Sequence, residues 1–114
     1  MMTVVAKALT DAQIADLAAW YGGHEALAEV TADPNGAPEA CVACHGVDGI
    51  SVVEDAPNLA GETGIYIETQ LKAFRFDKRT HDVMSPIAKE LSDADVQAVA
   101  DWYSDIGLTI TQTD

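Results

Sequence analysis

The run CVACH at residues 41–45 constrains this 114-residue chain more than any other feature. The sequence contains two cysteines in total, both in this run, so a framework of disulfides is excluded. The spacing C-x-x-C-H is typical of a site where two thiols add across the two vinyl groups of a haem. The thiols must then lie one helical turn apart, and the adjacent His45 can supply a ring nitrogen to the iron. We therefore expect one covalently bound haem c.

Two other chemistries use cysteines at this spacing. A redox-active C-x-x-C is expected near a βαβ pattern, which the sequence does not show. A zinc site needs four ligands, and Cys41, Cys44 and His45 offer three without a second Cys or His pair to complete the set. A chance match is the third alternative. Haem attachment is the favoured interpretation.

A low-spin electron carrier needs a second axial ligand, and a methionine thioether is the usual choice where the potential is raised. Met84 is the only methionine that follows the haem motif. It lies in THDVMSPIAKEL, where flanking Asp and Pro residues predict a loop that can reach across the haem. A core methionine is the structural alternative. His81, three residues earlier, is the rival ligand.

Hydrophobic periodicity predicts an all-α class. Helices are expected over residues 10–21, 64–76 and 92–105, where apolar residues recur at helical spacing. Shorter helical segments are expected at His24–Val30 and at CVACHG. The stretches 32–40, 47–63 and 77–86 are rich in Gly, Pro, Asp and Asn and predict loops. The β-branched stretch Leu108–Thr111 is the one weak strand signal.

The sequence also contains an internal repeat. MTVVAKALTDAQIADLAAWY (residues 2–21) aligns without gaps onto MSPIAKELSDADVQAVADWY (residues 84–103), at an offset of 84 − 2 = 82. Met, Ala-Lys, Leu, Asp-Ala, Ala and Trp-Tyr recur in register, which helical composition alone does not produce. The repeat predicts that residues 1–22 are the closing helix of a preceding domain and that residues 23–114 form the haem domain.

The charge of the chain limits its partners. Nineteen acidic and six basic residues give a formal net charge of −13. Such a surface repels nucleic acid and anionic lipid and attracts a basic protein, although a merely solvated, salt-adapted surface is the alternative. No apolar run approaches the ~20 residues that span a bilayer. No secretory signal opens the chain, so either a signal has been removed or the chain is part of a longer protein.

Four segments together carry a family resemblance: CVACHG, PNLAG (57–61), YIETQLKAFR (66–75) and HDVMSPIAKELSDADVQAVADWY (81–103). The sequence resembles class I cytochromes c from about residue 23 to residue 108, and specifically the bacterial cytochrome c4 type, in which two such domains lie in tandem. The resemblance implies a class I cytochrome c fold around one covalent haem, preceded by an extra N-terminal helix. A c4-type protein has two CxxCH motifs and this chain has one. The repeat then makes residues 1–22 the closing helix of the first cytochrome domain, with a monohaem protein and a vestigial leader as the alternative.

The resemblance also implies roles for individual residues. Cys41 and Cys44 would form the thioethers, and His45 and Met84 would be the axial iron ligands. The carbonyl of Pro57 would accept a hydrogen bond from the proximal histidine, which fixes its tautomer and raises its basicity. Further cofactor-binding positions near the haem edge and propionates would be Tyr66, Gln70, Arg75 and Arg79.

These residues predict single-electron transfer, either as a carrier or as the electron-transfer domain of a larger dihaem or multidomain protein. The alternative is a haem-based gas or redox sensor with a displaceable sixth ligand. No nucleophile or acid–base pair is evident, so the chain is not expected to be an enzyme itself. Because haem attachment of this type occurs outside the bacterial cytoplasm, the resemblance implies a periplasmic protein. Redox proteins with basic surfaces are the expected partners, and the apolar face of the first helix (Ile14, Leu17, Tyr21) is expected to dock on its own domain or on another chain.

Overall fold

The structure is a computed structural model that describes residues 1–112. The predicted haem domain, residues 23–114, thus ends two residues outside the described part. The elements in chain order are α1 (Met2–Lys7), α2 (Asp11–Gly22), β1 (His24–Glu29), a 3₁₀ turn (Pro34–Gly36), α3 (Glu39–His45), α4 (Gly64–Arg75), α5 (Met84–Glu90), α6 (Asp93–Ser104) and β2 (Gly107–Gln112). The mostly helical architecture confirms the predicted class, with one small sheet added.

The chain divides into two compact units. One comprises Met1–Leu27 and the residues from Ile110 onward, and it contains α1 and α2. The other comprises Ala28–Thr109 and contains α3 to α6. β1 and β2 pair as a two-stranded sheet. None of the described helices is long and apolar enough to cross a membrane.

The core of the second unit forms where α4 packs on α5 and α6. Each long helix begins with a local cap: the Thr63 hydroxyl accepts from the Tyr66 amide, and Ser92 and Asp95 form a capping box at α6. The apolar face of α6 is then buried against α4, with Tyr103 fully inaccessible to solvent. The core residues of this unit are Cys41, Ala60, Ile67, Leu71, Val96, Val99, Ala100, Tyr103 and Ile106.

Helix α6 also fixes the chain that leaves α3. The Tyr103 hydroxyl donates to the Gly46 carbonyl at 3.1 Å, and the Trp102 indole N–H donates to the Val47 carbonyl at 3.1 Å. Gly46 has φ +77°, a conformation that favours glycine, and it follows His45 directly. These contacts set where the helix with the CVACH run ends.

The long loop between α3 and α4 is held by backbone hydrogen bonds, as its composition predicts. The Gly49 carbonyl accepts from the amides of Leu59 and Ala60 at 2.7 and 3.0 Å. The Asn58 side chain accepts from the Ser51 amide at 2.7 Å. The loop therefore closes on itself and carries Pro57 back towards α3.

Two local predictions are wrong. The segment His24–Val30 was expected to be helical, but His24–Glu29 forms β1 with alternating exposure. Pairing with β2, about eighty residues away in the sequence, overrides the helix propensity of its Ala, Leu and Glu residues. Met84 was expected in a loop, but it opens α5, because Pro86 lies in the first helical turn where its missing N–H costs nothing.

Candidate functional site

The second unit contains a cavity of about 320 Å³ between α3, α4, α5 and the 55–59 loop. Its walls are mostly apolar side chains. Of the nine residues predicted to bind the cofactor, eight line it: Cys41, Cys44, His45, Pro57, Tyr66, Gln70, Arg79 and Met84. The structure thus brings together the motif, the methionine and the proline that the sequence separates by up to 84 − 41 = 43 positions.

His45 is buried and its ring is oriented by the loop opposite. Its Nδ1 donates to the Pro57 carbonyl at 2.8 Å. A carbonyl can only accept, so the proton of the neutral imidazole lies on Nδ1 and Nε2 keeps its lone pair. This is the hydrogen bond that the family resemblance implies, and it leaves Nε2 able to bind iron.

One wall of the cavity is the inner face of α4. Ile67, Leu71 and Phe74 recur at spacings of four and three residues, are buried, and line the cavity. Their apolar periodicity is part of the pattern that predicts the helix over 64–76, whereas Ile65 on the same helix is 81% exposed. This wall would keep water from a planar apolar cofactor.

Two polar residues from the predicted set interact at the cavity. Arg79 donates through a guanidinium nitrogen to the Gln70 side-chain oxygen at 2.8 Å, and its guanidinium carbon lies 4.7 Å from the centre of the Phe74 ring. Both contacts hold a cation at the cavity lining, where a carboxylate of a bound cofactor would find a donor.

Arg75 does not join them. Its guanidinium donates to the Asp93 carboxylate at 2.6 Å and to the Leu91 carbonyl at 2.8 Å, and the residue is not part of the cavity lining. The guanidinium, by hydrogen bond and by charge, lowers the pKa of Asp93. Arg75 therefore joins α4 to the start of α6 in the structure.

Several lining residues were not assigned to the site from the sequence. Val83 directly precedes α5, Ile87 lies three residues after Met84 on that helix, and Val99 reaches the cavity from α6. Val83 and Ile87 lie outside the helices that the sequence predicts, so no spacing rule pointed to them. The helical spacing around Val99 predicts only a buried face, because which other helix shares the cavity depends on tertiary packing. His81 also lines the cavity, where the sequence offered it only as a rival ligand.

The cysteine environment distinguishes between the chemistries that the motif allows. Burial, and to a lesser degree the neighbouring Cys44, raises the pKa of Cys41. Disulfide oxidoreductases need a lowered pKa at the attacking thiol, so this environment disfavours that alternative. An apolar cavity with two thiols, a histidine of fixed tautomer and a thioether in its lining does fit a haem.

Comparison with known proteins identifies the same chemistry. The cytochrome c family model matches residues 37–105. A thiosulfate dehydrogenase electron acceptor of Thiomonas intermedia (strain K12) is 31% identical over 99% of this chain and 61% of its own length. Cytochrome c-554(548) of Halomonas halodenitrificans is 42% identical over 56% of this chain and 81% of its own length. Cytochrome c4 of Thiocapsa roseopersicina is 38% identical over 72% of this chain and 44% of its own length.

These matches bear on the length of the chain, on its function and on its family. This chain spans less than two thirds of the Thiomonas and Thiocapsa relatives. The names of all three relatives are those of electron-transfer proteins, so the sensor alternative is not favoured. The predicted haem c cofactor and the resemblance to cytochrome c4 are confirmed. The chain belongs to the cytochrome c family, as a class I c-type cytochrome that carries haem c and transfers single electrons.

Proposed function

We propose that Cys41 and Cys44 hold the haem through thioethers and that His45 and Met84 are its axial ligands. One observation carries the proposal: the four side chains line a single apolar cavity, and the His45 ring is already oriented by the Pro57 carbonyl. When bound, haem supplies a one-electron couple in which iron alternates between the ferric and ferrous states.

The residues of this chain then have distinct tasks. The two thioethers fix the cofactor to α3. The Pro57 carbonyl keeps the proton on His45 Nδ1 and raises the basicity of the ring. The α4 wall excludes water, and Gln70 and Arg79, with Tyr66, offer polar groups to the propionates.

Optical spectra of the purified holoprotein test the ligand set. Ferric His/Met haem has a weak sulfur-to-iron band in the near infrared. We expect this band in the native protein and its loss in Met84→Ala. Met2→Ala is the matched control, because Met2 is the repeat equivalent of Met84 and is exposed. A band that survives Met84→Ala, or that is absent from the native protein, contradicts the ligand assignment.

We also propose a place for the protein in electron transfer. It would accept electrons from an oxidoreductase without being an enzyme itself, as the names of two relatives, electron acceptors of thiosulfate dehydrogenase, suggest. The charge of −13 favours a donor or acceptor with a basic docking surface. Covalent haem attachment implies a periplasmic location.

The N-terminal segment supports a further part of the proposal: residues 1–22 close a second cytochrome domain. With the offset of 82, α2 (Asp11–Gly22) coincides with α6 (Asp93–Ser104) end for end. Thr10 with Gln13 forms the same capping box as its counterpart at α6. The equivalent apolar positions differ in burial: Ile14 is 48% exposed where Val96 is 1%, and Tyr21 is 72% exposed where Tyr103 is 0%. We infer that this α2 face is built to receive a helix of the α4 type.

We propose that a second copy of this chain can cover that face. Light scattering over a range of concentrations tests this, and association should strengthen as salt screens the repulsion between acidic copies. Leu17→Glu should abolish association, because Leu17 is the counterpart of buried Val99. Ala19→Glu is the matched control, because its counterpart Asp101 is exposed. A monomer under all conditions contradicts self-association through α2.

A further inference from the structure

His81 is tied to the first turn of α5, the turn that begins with Met84. Its ring Nδ1 accepts from the amides of Val83 and Met84 at 3.2 and 3.3 Å. Its backbone forms a reciprocal pair with Ser85: the His81 amide donates to the Ser85 hydroxyl at 2.9 Å, and the Ser85 amide donates to the His81 carbonyl at 3.0 Å. Four hydrogen bonds of one residue therefore hold residues 83–85.

These bonds supply hydrogen-bond acceptors that the first turn of α5 otherwise lacks. The first amides of a helix have no partner within the helix, and an N-terminal side chain usually accepts from them. The residue at the cap position of α5 is Val83, whose side chain cannot accept. His81 Nδ1 instead accepts from the amides two and three residues along the chain, the pattern that an Asn or Asp cap uses.

The direction of these bonds also bears on the ligand role that the sequence left open for His81. Because Nδ1 accepts, the proton of the neutral ring is on Nε2. A histidine that binds a metal normally donates its other ring N–H to an acceptor. Here the other nitrogen faces two donors, so iron binding through Nε2 is disfavoured in this arrangement.

We propose that His81 is a positioning residue for the axial methionine. It caps the turn that carries Met84. This cap holds the start of α5, with the half-buried Met84 side chain, against the cavity. The inference rests on the proposed function, in which Met84 is the ligand. A methionine side chain loses much conformational freedom on being fixed, so a ligand on a prearranged turn competes better with other ligands.

The test uses the ferric holoprotein, imidazole as a competing ligand, and the sulfur-to-iron band. We expect His81→Ala to weaken the band and to raise the affinity for imidazole about tenfold, because two neutral hydrogen bonds at the turn are lost. His81→Asn should restore both properties towards the native values, since its side-chain oxygen can accept from the same amides. His24→Ala is the control, because His24 is a histidine outside the cavity lining.

The outcomes separate the two proposals. Native protein without the band overturns Met84 ligation and this inference with it. If the native protein shows the sulfur-to-iron band, and His81→Ala keeps the same band and the same imidazole affinity, the positioning role alone is overturned. Equal losses in His81→Ala and His81→Asn overturn it as well, because the acceptor would then be irrelevant. If His81→Ala does not take up haem, Ser85→Ala provides the test: it removes one of the four bonds, and an unchanged imidazole affinity overturns the role.

Discussion

Gly49→Ala tests how the 46–63 loop supports the site. Gly49 is buried and has φ +76°, where an L-residue is strained by about 1–2 kcal/mol. An added Cβ would lie 2.5 Å from the Ala60 amide nitrogen and 2.8 Å from its Cα. Both are backbone atoms, so relief requires the loop to move, and such overpacking adds about 1–3 kcal/mol. The expected loss of unfolding free energy is therefore about 2–5 kcal/mol.

The same substitution should alter the haem, because Gly49 holds the segment that carries Pro57. The Gly49 carbonyl accepts from the amides of Leu59 and Ala60, so moving that segment displaces the Pro57 carbonyl from His45. A weaker hydrogen bond lowers the basicity of the imidazole and stabilises ferric iron less. We therefore expect the reduction potential of Gly49→Ala to rise.

Denaturant unfolding of the holoprotein and a redox titration measure the two effects. Gly36→Ala is the control from the same unit, because an added Cβ there would meet only the Trp102 ring at an ordinary 3.8 Å. The reasoning is refuted if Gly49→Ala loses no more stability than Gly36→Ala. A stability loss without a change in potential refutes only the link from the loop to His45.

Three further predictions concern the core and the surface. Tyr103→Phe should lower the unfolding free energy by about 1–2 kcal/mol, since the buried Gly46 carbonyl loses its donor; denaturant unfolding measures this. Burial, and to a lesser degree the charge of Asp48, raises the pKa of Tyr103. This folded-state pKa lies above the unfolded value of about 10, so the unfolded state loses the tyrosine proton first. Above about pH 10 the unfolding free energy should therefore fall by about 1.4 kcal/mol per pH unit, and this contribution should be absent in Tyr103→Phe. Electron transfer with a basic partner should slow as salt rises; rates independent of salt contradict electrostatic docking.

The parts of the fold that the sequence predicts are those decided by local interactions. The capping boxes at Thr10 and Ser92 involve residues three positions apart, and both helices begin where predicted. The CVACH run carries its own spacing rule, and its two cysteines and its histidine line one cavity. The Pro57 contact was available only through the family resemblance, because nothing local relates Pro57 to His45.

The wrong predictions mostly concern residues whose structure depends on contacts with residues distant in the sequence. β1 depends on a strand at the other end of the chain, so its Ala, Leu and Glu residues misled the prediction. Arg75 depends on Asp93, which lies eighteen residues later and binds the guanidinium outside the cavity. The flanking Asp82 and Pro86 predict a loop at Met84, whereas a proline in the first turn is compatible with a helix.

The two halves of the repeat show the same contrast between local interactions and contacts with distant residues. Nearly the same pattern of apolar residues forms a helix of twelve residues twice, with the same cap, at α2 and at α6. Tyr103 is buried because α4 packs against α6, whereas its counterpart Tyr21 is exposed. The sequence thus specifies the helix and the face to be covered, and the covering element decides burial. An apolar stripe without such a cover is typical of an interaction surface. The difference in burial between Tyr21 and Tyr103 therefore supports the proposal that a cytochrome-like partner covers the apolar face of α2.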